Sequence, residues 1–190
     1  MKKPQEVEVK IAATSATAVR KKLRDAGFQI RTPRVLEQNI LLDDSGQRLR
    51  RSGLLLRLRS AGKKILCTFK GPVKAGRHKR RDEYEFHPDS LNDCLAVFAG
   101  LGYHPSFRIE KYRTEFDRRG EPGHITLDET PIGLFMELEG PPRWIDATAK
   151  SLGFSAVDYI TASYTALYFE WCRAHNEQPG AMVFRKGRKP

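Results

Sequence analysis

A chain of 190 residues with 39% hydrophobic content carries enough apolar material for one core, and no internal stretch is rich enough in Pro, Gly or Ser to act as a linker between separate domains. No apolar run reaches the length of a membrane span, and the N-terminal MKKPQEVEVK lacks the apolar centre of a signal peptide, so a cytoplasmic protein without a membrane partner is expected. The formal net charge of +11 implies a polyanionic partner without saying which, and three cysteines (Cys67, Cys94, Cys172) with no CxxC or Cys/His spacing argue for reduced thiols rather than zinc.

The first patterned stretch, EVEVKI from Glu6 to Ile11, alternates charged and apolar residues, the signature of a strand with one ionic and one apolar face. ATSATAVRKKLRDAGF follows as an amphipathic helix, with Thr14 or Ser15 as N-cap, Ala16, Val19, Leu23 and Ala26 at helical spacing, and Gly27 as its stop. Strand-like runs come next: VLEQNILLD, LLLRLRS, KKILCTFKG, RRDEYEF, EKYRTEFD, HITLDET and GLFMELEG. The turn signals DDSG, SAGKK, RRGEPG and ETPIG between them fit antiparallel hairpins. PDSLNDCLAVFAGLGY, capped by Asp89 or Ser90, and PRWIDATAKSLGF read as two further helices. A last one, YITASYTALYFEWCRAHNE, sets Tyr164, Leu167, Tyr168 and Trp171 on one side. These elements define a single domain over residues 1–172. Residues 173–190 read as a basic, mobile tail.

Like charges recur two residues apart: Glu6 and Glu8, Arg57 and Arg59, Glu83 and Glu85, Lys111 and Arg113, Glu137 and Glu139. Lys10, Lys70, Arg81 and Asp128 add single charges to the same faces. An ordinary barrel would turn all of these toward water. A soluble surface, however, mixes signs and includes Ser, Thr, Asn and Gln, whereas this face is almost wholly ionic. The alternative is a closed sheet with the ionic face inward, tolerable only where acids and bases oppose each other or a charged ligand fills the space. Arg and Lys suit phosphate oxygens and carboxylates suit hard divalent cations, so such a lining fits a metal-bound polyphosphate. The stretch GPVKAGRHKRR, with Lys74, Arg77, His78, Lys79 and Arg80, reads as a solvated basic rim.

Seven motifs in order carry a family resemblance: ExExK at Glu6, Glu8 and Lys10; ExNxxxD at Glu37, Asn39 and Asp43; LRLR at Leu56 to Arg59; TFKGP at Thr68 to Pro72; RxExE at Arg81, Glu83 and Glu85; KxR at Lys111 and Arg113; and LDETPIGLFMELE from Leu127 to Glu139. Over about residues 5 to 170 the chain resembles the CYTH superfamily, the triphosphate tunnel metalloenzymes, and most closely its bacterial class IV adenylate cyclase-like branch. The resemblance implies an α+β, mainly β fold: a closed eight-stranded antiparallel barrel with a charged interior and helices outside. It implies Mg2+ or Mn2+ as cofactor. Glu6, Glu8, Glu83, Glu85, Asp128, Glu137 and Glu139 fall to the metal side, and Lys10, Arg57, Arg59, Lys70, Arg81, Lys111 and Arg113 to the triphosphate, with Lys10, Arg57, Arg59 and Lys70 as the catalytic cations. Glu83 and Glu85 keep a second reading, as partners that hold a neighbouring base. Tyr164 reads equally as a family position and as a core aromatic.

The implied activity is hydrolysis of a triphosphate compound: inorganic triphosphate, thiamine triphosphate or a nucleoside triphosphate. Cyclisation of ATP to 3′,5′-cyclic AMP and pyrophosphate is the alternative. It stands second because Leu41 and Leu42 precede Asp43 where the cyclase pattern carries aromatics. A non-catalytic binder of polyphosphate or RNA ends stands third, since nothing resembles a nucleic-acid platform and a binder would not need so many carboxylates. Monomer and homodimer both stay open.

Overall fold

The computed structural model describes residues 5–185. Eight strands run β1 (Gln5–Ala13), β2 (Gln29–Asp43), β3 (Leu55–Ala61), β4 (Lys64–Lys70), β5 (Lys79–Phe86), β6 (His104–Asp117), β7 (His124–Thr130) and β8 (Gly133–Glu139). They close into one barrel in the spatial order β1-β5-β4-β3-β2-β6-β7-β8, with every neighbouring pair antiparallel. Closure leaves no unpaired edge and gives each strand an inner and an outer face.

The outer face is the apolar one. Val9 and Ile11 of β1 and Ile125, Leu127, Met136 and Leu138 of β7 and β8 are buried under α1 (Ala16–Asp25) and α4 (Pro142–Ser151), which contribute Leu23, Trp144 and Ile145. A second cluster, Leu42, Leu56, Leu58 and Cys67, lies under α3 (Leu91–Gly100). Each fully buried aliphatic side chain contributes about 1.5–3 kcal/mol, so these outer clusters supply the stability that the ionic interior cannot. The helices start where small hydroxyls cap them: Ser15 accepts from the Ala18 amide, Ser90 from Asp93 and Ser163 from Ala166. Gly27 ends α1 with φ +83, a backbone state that costs glycine nothing.

Three elements depart from the sequence expectation. β2 starts at Gln29, well before Val35, because bulges between Ile30 and Val35, around Pro33, break the alternation that marks a strand. The turn after Asp43 holds a one-turn helix, α2 (Arg48–Arg51), nucleated when the Asp43 carboxylate accepts from the Leu49 and Arg50 amides at 3.0 Å each. Finally, the basic end read as mobile from residue 173 is packed as far as Arg185. α5 (Tyr164–Ala174) continues into a segment whose Met182 is fully buried against Ile109, Tyr168 and Cys172. The Met182 amide donates to the Arg108 carbonyl and the Glu110 amide to the Met182 carbonyl, at 3.0 and 2.8 Å. A four-residue apolar run, Ala181 to Phe184, anchors it through Met182 and through Phe184 against Tyr112, too short a pattern to read from sequence. Residues 186–190 of that basic end lie outside the described residues. No helix among the described residues is long and apolar enough to cross a membrane.

Candidate functional site

The inner faces bring the charged pairs together. A cavity of about 320 Å³ runs inside the barrel, lined by seven carboxylates and nine Lys or Arg side chains. Lys10 is 2% exposed, Lys111 4%, Glu8 5% and Asp128 0%, so the ionic face of EVEVKI and its counterparts points inward.

Three carboxylates gather at one place in the lining. Glu6, Glu8 and Glu139 each offer an oxygen within 4.8 Å of the others. The register causes this: Glu8 of β1 stands opposite Glu139 of β8, and Glu6 is two residues along β1 on the same face. Burial together with the charges of Glu6 and Glu8 pushes the Glu139 carboxyl up to about 8, so it keeps a proton at neutral pH. Burial would raise Glu8 as well, but Lys10, Lys79 and Lys70 outweigh it and hold Glu8 well below the carboxylate range. Glu6 Oε1 accepts from Lys70 at 2.5 Å, and its Oε2 is buried with no hydrogen-bond partner. Three carboxylates, one with a buried oxygen that has no partner and one pushed up by burial and its like-charged neighbours, fit a hard divalent cation.

The cations of the tunnel are each held by an acceptor in the lining. Lys10 sits between Glu8 (3.0 Å) and Glu137 (3.1 Å). Arg113 donates to both Asp128 oxygens at 2.7 and 2.6 Å and also to Glu137. Lys111 donates to Asp128 at 2.7 Å. Arg59 bridges Asn39 (3.0 Å) and Glu37 (3.1 Å), while Arg57 donates to Thr68 at 3.1 Å and leaves a buried Nε unpaired. Burial opposes ionisation of Glu37, yet Arg113, Lys111 and Arg59 bring it down to about 2. Burial and the neighbouring Arg57 lower Arg59 to about 10, which still leaves it charged.

The carboxylates assigned to the metal side therefore divide. Glu6, Glu8 and Glu139 gather. Glu137 and Asp128 are occupied by Lys10, Arg113 and Lys111. Glu83 pairs with Lys70 at 3.0 Å, and Glu85 accepts from Thr68 at 2.9 Å and lies 3.9 Å from Arg57, so both stand beside a base. Among the cations, Arg81 turns its guanidinium to the carbonyls of Gly71 (2.7 Å) and Gly53 (2.8 Å), stapling two loops at the tunnel wall.

Sequence reasoning misplaced Lys79 and left Glu37, Asn39 and Tyr164 without a settled role. Lys79, read within the solvated rim, is the first residue of β5; it is buried and donates to Glu8 at 2.5 Å. His78 is buried too, while Lys74 and Arg77 are exposed as expected of a rim. Lys79 lies two residues before Arg81, so extending the RxExE alternation backward by one step would have found it. Glu37 and Asn39 were visible in their motif, but only the fold shows them holding Arg59. Tyr164 donates to Asp128 at 2.7 Å, with Lys10 and Lys111 at 5.1 and 4.9 Å from its ring centre, which places it in the site.

A closed antiparallel barrel whose interior gathers an acid trio and a cluster of held cations defines a tunnel protein with an ionic lining. The CYTH domain profile matches residues 4–164, and the chain belongs to the CYTH family. A Methanocaldococcus jannaschii protein named putative adenylate cyclase is 26% identical over 134 residues, covering 70% of this chain and 75% of that protein. The fold is shared with a Vibrio parahaemolyticus protein, also named a putative adenylate cyclase, at TM-score 0.76 and 21% identity over 87% of this chain and 98% of the other. It is shared as well with a Hippeastrum adenylyl cyclase homologue described as having a dominant triphosphatase activity, at TM-score 0.65 and 18% identity over 87% and 95% of the two chains. Enzymes of this family depend on divalent metal and bind triphosphates in the tunnel.

Proposed function

We propose that the protein is a divalent-metal-dependent hydrolase of a triphosphate compound bound inside the barrel. The observation that carries this reading is the juxtaposition, within one enclosure, of the trio Glu6, Glu8 and Glu139 with the cations Lys10, Arg57, Arg59, Lys111 and Arg113. Glu6, Glu8 and Glu139 would hold Mg2+ or Mn2+, which when bound neutralises charge on the phosphoryl group being transferred. The chain's own residues do the rest. Lys10, Arg113 and Lys111 are held in place by Glu137 and Asp128 before any substrate arrives, so little reorganisation opposes their binding of phosphate oxygens. Arg57, with its unpaired Nε, has a donor free for the same oxygens. Excess positive charge in the lining favours the polyanion and draws it inward.

Adenylate cyclase is the second reading, supported by the name of the Methanocaldococcus relative and by a wider space of about 770 Å³ that adjoins the tunnel and shares Leu41, Leu55, Lys79 and Arg81 with it. That space is roomy enough for the organic moiety of a nucleotide. Incubation with inorganic triphosphate, thiamine triphosphate and ATP, each with Mg2+ and with Mn2+, separates the readings. Hydrolysis releases phosphate. Pyrophosphate with stoichiometric 3′,5′-cyclic AMP from ATP would replace the hydrolase by the cyclase, and tight binding of all three without any product would overturn both.

A further inference from the structure

β1 changes neighbours between its two most important side chains. The β1–β5 ladder ends at the pair Glu8 and Lys79, although β1 itself runs on to Ala13 along β8. At Lys10 the place of β5 is taken by a single residue from far along the chain: Ile160, which exchanges two backbone hydrogen bonds with Lys10 at 2.9 and 2.8 Å. Lys79 and Ile160 thus meet β1 on either side of a break in the barrel wall. Strand ends of this kind fray unless something holds them, and here Lys79 opens β5 directly after the loop that contains Gly76.

One carboxylate outside the tunnel holds both. Asp146 Oδ1, on α4, lies 2.8 Å from His78 Nε2 and accepts the Tyr159 hydroxyl at 3.0 Å. His78 is the residue before Lys79, and Tyr159 the residue before Ile160. The two rings also touch, 5.9 Å between centroids, and His78 is buried. The base of this clamp is rigid, because Trp144, Ile145, Thr148 and Ala149 around Asp146 are buried against the barrel. Inside the wall, Lys79, carried by one clamped segment, and Lys10, paired with the other, converge on one acid: Glu8 Oε1 receives Lys79 at 2.5 Å and Lys10 at 3.0 Å.

We infer that Asp146 is a positioning residue: through His78 and Tyr159 it fixes the seam where β5 gives way to residue 160, and so aims Lys79 into the tunnel as a further cation for the bound polyanion. This rests on the tunnel being the triphosphate site. Asp146 touches nothing in the tunnel; its effect passes through Lys79.

The test is a double-mutant cycle read by calorimetric titration of tripolyphosphate in metal-free buffer, with kcat and KM measured alongside. Lys79→Ala and Asp146→Ala should each weaken tripolyphosphate binding by about tenfold, the scale usual for a residue that orients a ligating one. In the Lys79→Ala background, Asp146→Ala should then change affinity by less than about twofold, because the group it aims is gone. Asp146→Asn, which keeps an acceptor for the Tyr159 hydroxyl, should recover most of the loss. If the two effects multiply, or if Asp146→Ala binds like the parent, the inference is overturned. Should Asp146→Ala melt below the assay temperature, Tyr159→Phe removes one hydroxyl of the clamp and carries the same cycle, where multiplying effects overturn it equally. Absence of binding by the parent protein would instead sink the tunnel assignment itself.

Discussion

Asp128 offers the sharpest test of how the tunnel is held together. It is fully buried, and its two oxygens take bonds from Lys111, Arg113 and Tyr164 at 2.6 to 2.7 Å, three of them on Oδ2 and one on Oδ1. Asp128→Asn keeps the shape, removes the charge and leaves two buried cations facing an amide. Removing one partner of a buried ion pair costs about 3–5 kcal/mol. For a chain of 190 residues each kcal/mol lowers Tm by about 2–4 °C, which makes the expected drop about 6–20 °C. Thermal unfolding followed by circular dichroism at pH 7 with chelator measures it. Tripolyphosphate should then raise the Tm of Asp128→Asn by more than it raises the parent's, because it supplies the missing negative charge to Lys111 and Arg113. A drop of less than about 2 °C, with turnover recoverable at higher metal concentration, would show Asp128 to be a metal ligand and refute its role as counter-charge.

Three further outcomes follow from the geometry. Chelator should abolish turnover and Mg2+ or Mn2+ restore it, with Glu6→Gln, Glu8→Gln or Glu139→Gln raising the metal concentration needed for half-maximal rate; unchanged metal dependence in all three would remove the trio from the metal site. In metal-free protein, Glu139 titrates near 8 when folded and near 4.5 when unfolded, so the folded chain holds the extra proton in that window and stability should fall as pH rises from about 5 to 8; melting curves across that range should show the slope in the parent and lose it in Glu139→Gln. Gly123→Ala should destabilise by about 1–3 kcal/mol or more, since a Cβ there would lie 2.4 Å from the Trp144 ring and 2.6 Å from the Glu139 carbonyl oxygen; a denaturant midpoint equal to the parent's would show that α4 shifts freely.

Much of the architecture was legible because strand alternation is a local property. The two-residue period of EVEVKI, of LRLR and of RxExE places charges on one face whatever the strand's partner, and the near-absence of neutral polar residues on that face pointed inward before any coordinates. The caps at Ser15 and Ser90 were local as well, each narrowed to two adjacent residues. The β2 bulges around Pro33, the one-turn helix after Asp43 and the docking of Met182 were not, because each depends on a partner distant in the chain.

Glu137 and Glu139 mark the boundary most clearly. They lie two residues apart on one strand, share a face and are the same chemical group, and the family resemblance puts both on the metal side. Register separates them: Glu137 falls opposite Lys10 and Glu139 opposite Glu8. The first becomes a counter-charge to Lys10 and Arg113, and the second an acid pushed up to about 8 by burial and its like-charged neighbours. Alternation within a strand is set by bonds between adjacent residues and can be read from the chain. Which charge a side chain meets is set by pairing across the barrel, and Coulomb interaction with that neighbour decides its role.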